Sequence, residues 1–286
     1  MEDGLRFKEV NSTKKILNIV LVMFLVFLVG CAVHPVTGKK EIRLLSTSQE
    51  VALGKQAAQQ VVNEFGIYDD PELDKYINEV GQKLVDVSER KEITYSFTVL
   101  NTPMVNAFAA PGGFIFVTRG ILKELDDEAQ LAGVMAHEIG HVVYRHGAKQ
   151  FEKAFGYQAI LLVGEILTKK DLSQLQQYTN FFVSLMLLGY SRKNELESDN
   201  SAIRYSLAGG YDPKATVEFF EKLEAMEKKK PTKFEILFRS HPPTNDRIER
   251  VELYLEQVEF EGAELVRNEE KFKKFTQNLP AEESQK

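Results

Sequence analysis

Apolar residues recur along this chain at two spacings, and the switches between them mark its elements. From residue 46 to about Glu64 the spacing is three and four, with Val51, Ala58 and Val62 among the apolar positions. Ser46 or Ser48 is placed to cap that helix, and Gly66 to end it. A second helix is predicted from Pro71, where proline is tolerated at the first helical position, to about Val87. Tyr95 to Val99 then alternates with period two and predicts a half-buried strand. Met104 to Ala110 follows, closed by Pro111-Gly112-Gly113, and Phe114 to Thr118 predicts another strand, so a small sheet precedes the next helix. That helix is predicted over Asp127 to His146, with Asp126 and Asp127 at its start and Gly147 as its stop. Two apolar runs follow, Ala159 to Leu167 and Phe181 to Leu188, separated by Lys169, Lys170 and Asp171. Both are far too short to span a bilayer and suit core helices, a membrane-facing hairpin being the alternative. Gly209-Gly210 ends a further helix, Asp212-Pro213 opens one that turns charged by Glu224, and Ser240-His241-Pro242-Pro243 breaks the chain again. A last helix, roughly Asn245 to Val258, leads into a polar tail of disordered composition. The pattern is α+β and mostly helical, without internal repeats.

Composition changes this picture at two points. With 286 residues, 43% hydrophobic and 27% charged, the chain has ordinary globular content and can bury a sizeable core. The net charge is −6 and no basic cluster stands out, so nucleic acid is not an expected partner. The only cysteine is Cys31, which excludes an internal disulfide framework and any cysteine zinc site. Its position is informative: Lys14 and Lys15 precede the apolar run Ile16 to Gly30, which suits an export signal better than a spanning helix. Leu28-Val29-Gly30-Cys31 resembles a bacterial lipobox, which implies cleavage before Cys31 and acyl chains that hold the protein to a membrane surface. An uncleaved anchor, or a cysteine buried in a core helix, is the alternative. The expected organisation is a signal peptide over 1–30, a tether over 31–45, a catalytic domain over 46–262 and a polar tail over 263–286.

Candidate chemistry is concentrated in His137-Glu138-Ile139-Gly140-His141. Side chains at i and i+4 stack one turn apart, so His137 and His141 can offer two imidazoles to one ion, zinc by preference. Glu138 points about 60° away from His141 around the helix, which suits a carboxylate that reaches water without being a ligand. His146 is turned roughly 140° from His141 on the same continuous helix and is assigned to structure. Catalytic zinc needs a third protein ligand. Downstream, Glu195 and Asp199 lie at i and i+4, whereas Glu197 projects nearly opposite, so the spacing selects Glu195 as ligand. Asp199 is then placed to accept the outer N–H of a zinc-bound histidine, His137 being the expected one. The competing account is an exposed acidic helix start paired with Arg192 and Lys193, which suits Glu197 better than its neighbours. His34 is given no role.

These motifs resemble the gluzincin metallopeptidases. More closely, Asn106 to Gly113, the HExxH helix, Ser191-Arg192 with Glu195 to Asp199, and His241-Pro242-Pro243 with Arg247-Ile248 resemble the family of the CAAX prenyl endopeptidase, HtpX and BepA/LoiP. The similarity covers about residues 45 to 260. It implies a zincin-like fold with a small mixed sheet beside the HExxH helix, one Zn²⁺ per chain, and Glu195 as third ligand. It also implies that Asn106, Ala107, Phe108 and Ala109 lie beside the cleft, where a substrate adds as a strand with little sequence preference. The His241 loop of such proteins can approach the metal, so His241 is a reversible fourth ligand, a donor to the oxyanion, or only a cap of the final helix. Arg247 is an oxyanion donor or a partner of Glu195 or Asp199. Ser198 stands where alanine is common, a change expected to be neutral. Multi-span membrane branches and the repeat array of BepA have no counterpart here, which points to the short lipoprotein branch.

The function implied is a zinc endopeptidase of the bacterial cell envelope, with Glu138 as general base, acting in protein quality control on unfolded or misassembled proteins. Ala32 carries no inner-membrane retention aspartate, which suggests the periplasmic face of a Gram-negative outer membrane. A lipoprotein chaperone or assembly factor with a plugged zinc site is the second reading, and a zinc hydrolase of non-peptide bonds the third.

Overall fold

The computed structural model describes residues 30–156, 189–227, 232–242, 245–258 and 264–280, with a few single positions between them. The expected signal segment and the two apolar runs after residue 158 lie outside the described residues, apart from single positions. Among the described residues no helix is long and apolar enough to cross a membrane.

The described residues begin with a hairpin of β1 (Gly30–Val33) and β2 (Lys40–Arg43), paired antiparallel with Cys31 opposite Ile42. Residues 31–45 are therefore not the extended tether expected from their loop-like sequence. Glu41 reaches Lys149 at 2.8 Å, and the buried His34 ring lies 5.0 Å from that of Tyr144, so the hairpin is docked on the body. Helix α1 (Thr47–Phe65) starts in a reciprocal capping box between Ser46 and Gln49 and ends at Gly66, as the sequence predicts. Helix α2 (Pro71–Asp86) has Asp70 as its N-cap and proline at its first position.

A three-stranded sheet follows, built from β3 (Ser96–Leu100), β4 (Ala107–Ala110) and β5 (Phe114–Thr118) in the order β3-β5-β4. β3 and β5 are parallel and β4 is antiparallel to β5, which makes the sheet mixed and leaves β4 at its edge. Alternate side chains feed two cores. Phe97, Val99, Ala107, Ala109, Ile115 and Val117 join the main core, while Leu100, Phe108, Ala110 and Phe116 meet Leu53, Ala57 and Val61 of α1. The tight β4–β5 turn needs left-handed backbone at Gly112 (φ 77°) and Gly113 (φ 98°), which glycine adopts without steric cost.

After the short α3 (Arg119–Leu122), helix α4 (Glu128–Val143) carries the HExxH motif through the main core. Asp127 is its N-cap and accepts from the Gln130 amide at 2.7 Å. Its end corrects the prediction: the helix stops at Val143 rather than His146, and Gly147 lies inside a new helix, α5 (His146–Phe155). The break is Arg145, in the left-handed region at φ 60°, where a residue with a Cβ loses roughly 1–2 kcal/mol. Its guanidinium offsets that cost, donating to Glu50 Oε2 at 2.7 Å and to Glu152 Oε1 and the Leu45 carbonyl at 3.2 Å. Arg90 donates to both Glu50 oxygens and, at 2.8 Å, to the Val142 carbonyl at the end of α4. A buried ion network thus sets where the metal helix ends.

Among the described residues the α-helices that follow are α6 (Arg192–Ala208), α7 (Lys214–Glu227), α8 (Glu235–Ser240), α9 (Asn245–Gln257) and α10 (Glu269–Thr276). The last corrects the expectation of a disordered tail. Phe272 is buried, Phe275 stacks on Tyr76 at 4.3 Å, and the Arg267 carbonyl accepts from the Glu128 and Ala129 amides. Sparse apolar residues hid this helix, because its anchors are an aromatic pair and main-chain bonds at the free N-terminus of α4.

Glu50 is the hub of the network, since removing its charge leaves two buried guanidiniums facing each other. Glu50→Gln is expected to lower unfolding stability by about 3–5 kcal/mol in urea titration at pH 7. The guanidiniums outweigh burial and hold the Glu50 pKa below its ordinary value. Its contribution is therefore present above the unfolded value of about 4.3 and is lost as pH falls through the folded one. The stability gap between variant and wild type should narrow in that acid window; a gap that stays constant with pH would contradict this account.

Candidate metal centre

Helices α4 and α6 cross at a point where neither has a large side chain. A Cβ on Gly140 would lie 3.0 Å from the Ser198 Cα and 2.9 Å from the Ser201 Cβ, so glycine permits the approach. That contact carries Glu195, one turn before Ser198, to the two histidines of α4. His137 Nε2 and His141 Nε2 are 3.0 Å apart. Glu195 Oε2 lies 3.6 Å from the first and Glu195 Oε1 lies 3.5 Å from the second. His241 arrives from the end of α8, with Nδ1 at 3.3 Å from His137 Nε2 and 3.1 Å from Glu195 Oε2. The three histidines and Glu195 are all buried.

These separations suit a tetrahedral ion. Ligand bonds of about 2.0–2.1 Å imply donor-to-donor edges of about 3.3 Å, and the five edges above run from 3.0 to 3.6 Å. The proton positions point the same way. His137 Nδ1 lies 3.0 Å from Asp199 Oδ1, and with its proton on that side Nε2 turns a lone pair inward. His141 Nδ1 lies 2.9 Å from His146 Nδ1, and with its proton there Nε2 again turns inward. Glu195 Oε1 is buried without a hydrogen-bond donor. Lone pairs converging in a buried space suit a cation between them, and imidazole with carboxylate is a donor set that zinc takes.

The electrostatics divide the site into two halves. Burial, reinforced by His137 and His146, lowers the His141 pKa well below its ordinary value, so the ring stays neutral as a ligand must. Burial opposes ionisation of Glu195, but His241 and Arg247 outweigh it and lower its pKa. Asp199 is likewise buried, yet Arg247 holds it at about 2. Arg247 donates from Nε and Nη2 to Asp199 at 2.8 and 2.6 Å, and its Nη1 lies 3.1 Å from Glu195 Oε2. On the opposite side Glu138 is fully buried; burial raises its pKa, and Oε2 has no donor. Its Oε1 lies 3.8 Å from His241 Nε2. Burial lowers the His241 pKa, but the facing Glu195 and Glu138 outweigh it and the net shift is upward. Donor atoms of His137, Glu138, His141 and His241 all fall within 4.8 Å of one another.

The structure brings together the sequence-selected residues His137, Glu138, His141, Glu195, Asp199, His241 and Arg247. Of the roles open for Arg247, pairing with both Glu195 and Asp199 is the one its contacts match. Ala107 lines an apolar pocket with His137, Glu138 and His241, whereas the Phe108 ring packs on Phe116 across the sheet. Cys31 lies in the hairpin.

Glu197 pairs with Lys193 at 3.6 Å, as the spacing suggests, but a contact between His146 and Glu197 was not expected. His146 touches His141, and its Nε2 lies 3.0 Å from Glu197 Oε2. Straight-helix geometry turned both away from the metal; the left-handed Arg145 swings His146 back, and Glu197 meets it from α6. The signal in the sequence was the polar pair Arg145-His146 interrupting an apolar helix just before glycine.

Comparison with known proteins places this geometry. The profile of peptidase family M48 matches residues 71–254. The beta-barrel assembly-enhancing protease of Escherichia coli (strain K12) is 30% identical over 211 residues, 71% of this chain and 43% of that protein. The mitochondrial metalloendopeptidase OMA1 of Schizosaccharomyces pombe is 29% identical over 229 residues, covering 79% of this chain and 66% of that protein. OMA1 of Arabidopsis thaliana is 35% identical over 137 residues, 48% of this chain and 27% of that protein. The chain thus spans less than half the length of the Escherichia coli relative and about two thirds of the yeast one.

Metal analysis of the purified chain is expected to find one zinc, removed by chelator with a fall in melting temperature. Glu195→Ala should weaken zinc binding at least 100-fold while the apo form stays folded, because it removes one corner of the ligand set. Unchanged affinity in that variant would exclude this carboxylate as a ligand.

Proposed function

The chain belongs to peptidase family M48, and from that premise we propose that it is a zinc-dependent endopeptidase acting on unfolded or misassembled proteins of the bacterial cell envelope. The observation that carries the reading is the buried convergence of His137 Nε2, His141 Nε2 and the Glu195 carboxylate, with Glu138 alongside. A zinc ion held by those three residues would supply Lewis acidity, polarising a carbonyl and acidifying water. Glu138 is the general base. Its burial raises its proton affinity, which favours a carboxylate oxygen taking a proton from the attacking water and returning it to the leaving amine. Asp199 holds the His137 ring, and Arg247 holds Asp199 and Glu195.

His241 Nδ1, 3.3 Å from His137 Nε2 and 3.1 Å from Glu195 Oε2, would be a further donor to an ion held there and would have to turn out before water could enter. On this reading the chain is a protease held closed, with His241 as a reversible plug. This specific contact also favours the second reading, a chaperone or assembly factor that holds clients against a plugged site.

Substrate capture is assigned to β4, an end strand of the sheet, where an extended chain would add through main-chain hydrogen bonds once the elements that bury Ala107 to Ala110 make room. The buried Asn106 amide has no partner on either Nδ2 or Oδ1, a cost of about 1–3 kcal/mol that a substrate backbone would relieve. Beside Ala107 and Glu138, a pocket lined by Val134, Phe219, Leu223 and Ile248 suits an apolar side chain flanking the scissile bond. Kinship with the beta-barrel assembly-enhancing protease supports envelope proteins as clients. An acylated Cys31 would hold the enzyme to the periplasmic face of the outer membrane.

Glu138→Gln should keep fold and zinc while hydrolysis of a casein-type unfolded substrate falls at least ~100-fold. Full activity in that variant would remove the proposed base. In cells, rescue by wild type but not by Glu138→Gln marks a protease, and equal rescue by both marks a holding function. Loss of casein cleavage with chelator separates peptide hydrolysis from the third reading, zinc hydrolysis of other bonds.

A further inference from the structure

Beyond the ligands themselves, the two histidines of α4 are supported unequally. His137 Nδ1 faces a carboxylate directly, Asp199 Oδ1 at 3.0 Å. His141 Nδ1 faces no carboxylate; it faces His146 Nδ1 at 2.9 Å, and His146 Nε2 in turn faces Glu197 Oε2 at 3.0 Å. With both imidazoles neutral and Glu197 ionised, only one proton arrangement satisfies this row. Glu197 accepts from His146 Nε2–H, which leaves His146 Nδ1 as an acceptor, which fixes the proton of His141 on Nδ1 and its lone pair on Nε2. The opposite arrangement would set two N–H groups or two lone pairs against each other somewhere along the row.

We propose that His146 and Glu197 are positioning residues that lock the His141 ring in its metal-binding tautomer and orientation. The inference rests on the zinc-site reading above. Other contacts serve the same end. Tyr190 stacks on the His141 ring at 4.1 Å, Tyr144 stacks on His146 at 5.4 Å, and the left-handed turn at Arg145 delivers His146 to the site. The buried ion network around Glu50 therefore acts on the metal through the placement of one imidazole. Partners of this kind typically govern metal affinity by 10–100-fold.

The test is zinc affinity of the purified full chain by competition with a chromophoric chelator, beside ¹⁵N-histidine spectra of the metal-free protein. His146→Leu removes the acceptor and should weaken zinc binding about 10–100-fold. His146→Asn, whose Oδ1 stands near the position of Nδ1, should recover to within a few-fold of wild type. Glu197→Ala should fall between them. In the metal-free wild type, His141 should be the Nδ1-protonated tautomer, and in His146→Leu a mixture. Near-wild-type affinity in His146→Leu, or His146→Asn as weak as His146→Leu, would overturn the proposal, as would a His141 tautomer that does not respond. A wild type that takes up no zinc sinks the metal reading and this inference together, whereas tight wild-type binding with unaffected variants sinks the inference alone. Should His146→Leu fail to fold, His146→Asn, Glu197→Ala and the spectra still decide.

Discussion

Electron-rich atoms held together away from water are the constraint on which this structure depends. Two imidazole nitrogens 3.0 Å apart and a buried carboxylate oxygen without a donor repel one another unless a positive charge sits among them. Everything packed around the site keeps those atoms from separating. The close contact at Gly140 presses α6 against α4, Arg247 ties Asp199 and Glu195 together, and His241 covers the remaining corner.

Charge balance extends outward from there. Glu195 and Asp199 face Arg247; Glu197 faces His146; Glu50 faces Arg90 and Arg145. Each of these acids has a basic partner from another part of the chain. Such pairs add little net stability compared with apolar packing, but breaking one is costly, so they favour one arrangement over its neighbours. Here they set the end of α4 and the direction of two rings. The N-terminal hairpin and the C-terminal α10 contribute to the same balance, through Glu41 with Lys149 and through the Arg267 carbonyl at the start of α4.

Access, under the proposed function, is left adjustable. His241 is the only member of the cluster supplied by a chain break, beside Pro242, rather than by α4 or α6. A side chain on such a segment can leave without moving the helices, and the edge of β4 and the apolar pocket lie next to it. Rigid ligands with one movable cover suit an activity that must be restrained until an extended segment arrives.

Local rules carried the sequence far. Capping residues at Ser46, Asp70 and Asp127, the proline at 71, the alternation in β3 and the i, i+4 spacing of His137, His141, Glu195 and Asp199 each express chemistry within a few residues of backbone, so they were legible before any coordinates. The docked hairpin, the packed C-terminal helix, the stop at Val143, and the His146–Glu197 pair were not. Each depends on a partner distant in sequence: Lys149 for the hairpin, Tyr76 for α10, Glu50 for the left-handed Arg145, and Glu197 for His146. Sequence alone determined which residues could bind a metal, because spacing on one helix is a local property. Tertiary structure alone decided what holds those ligands and what covers them, because buried charges choose partners by proximity in space.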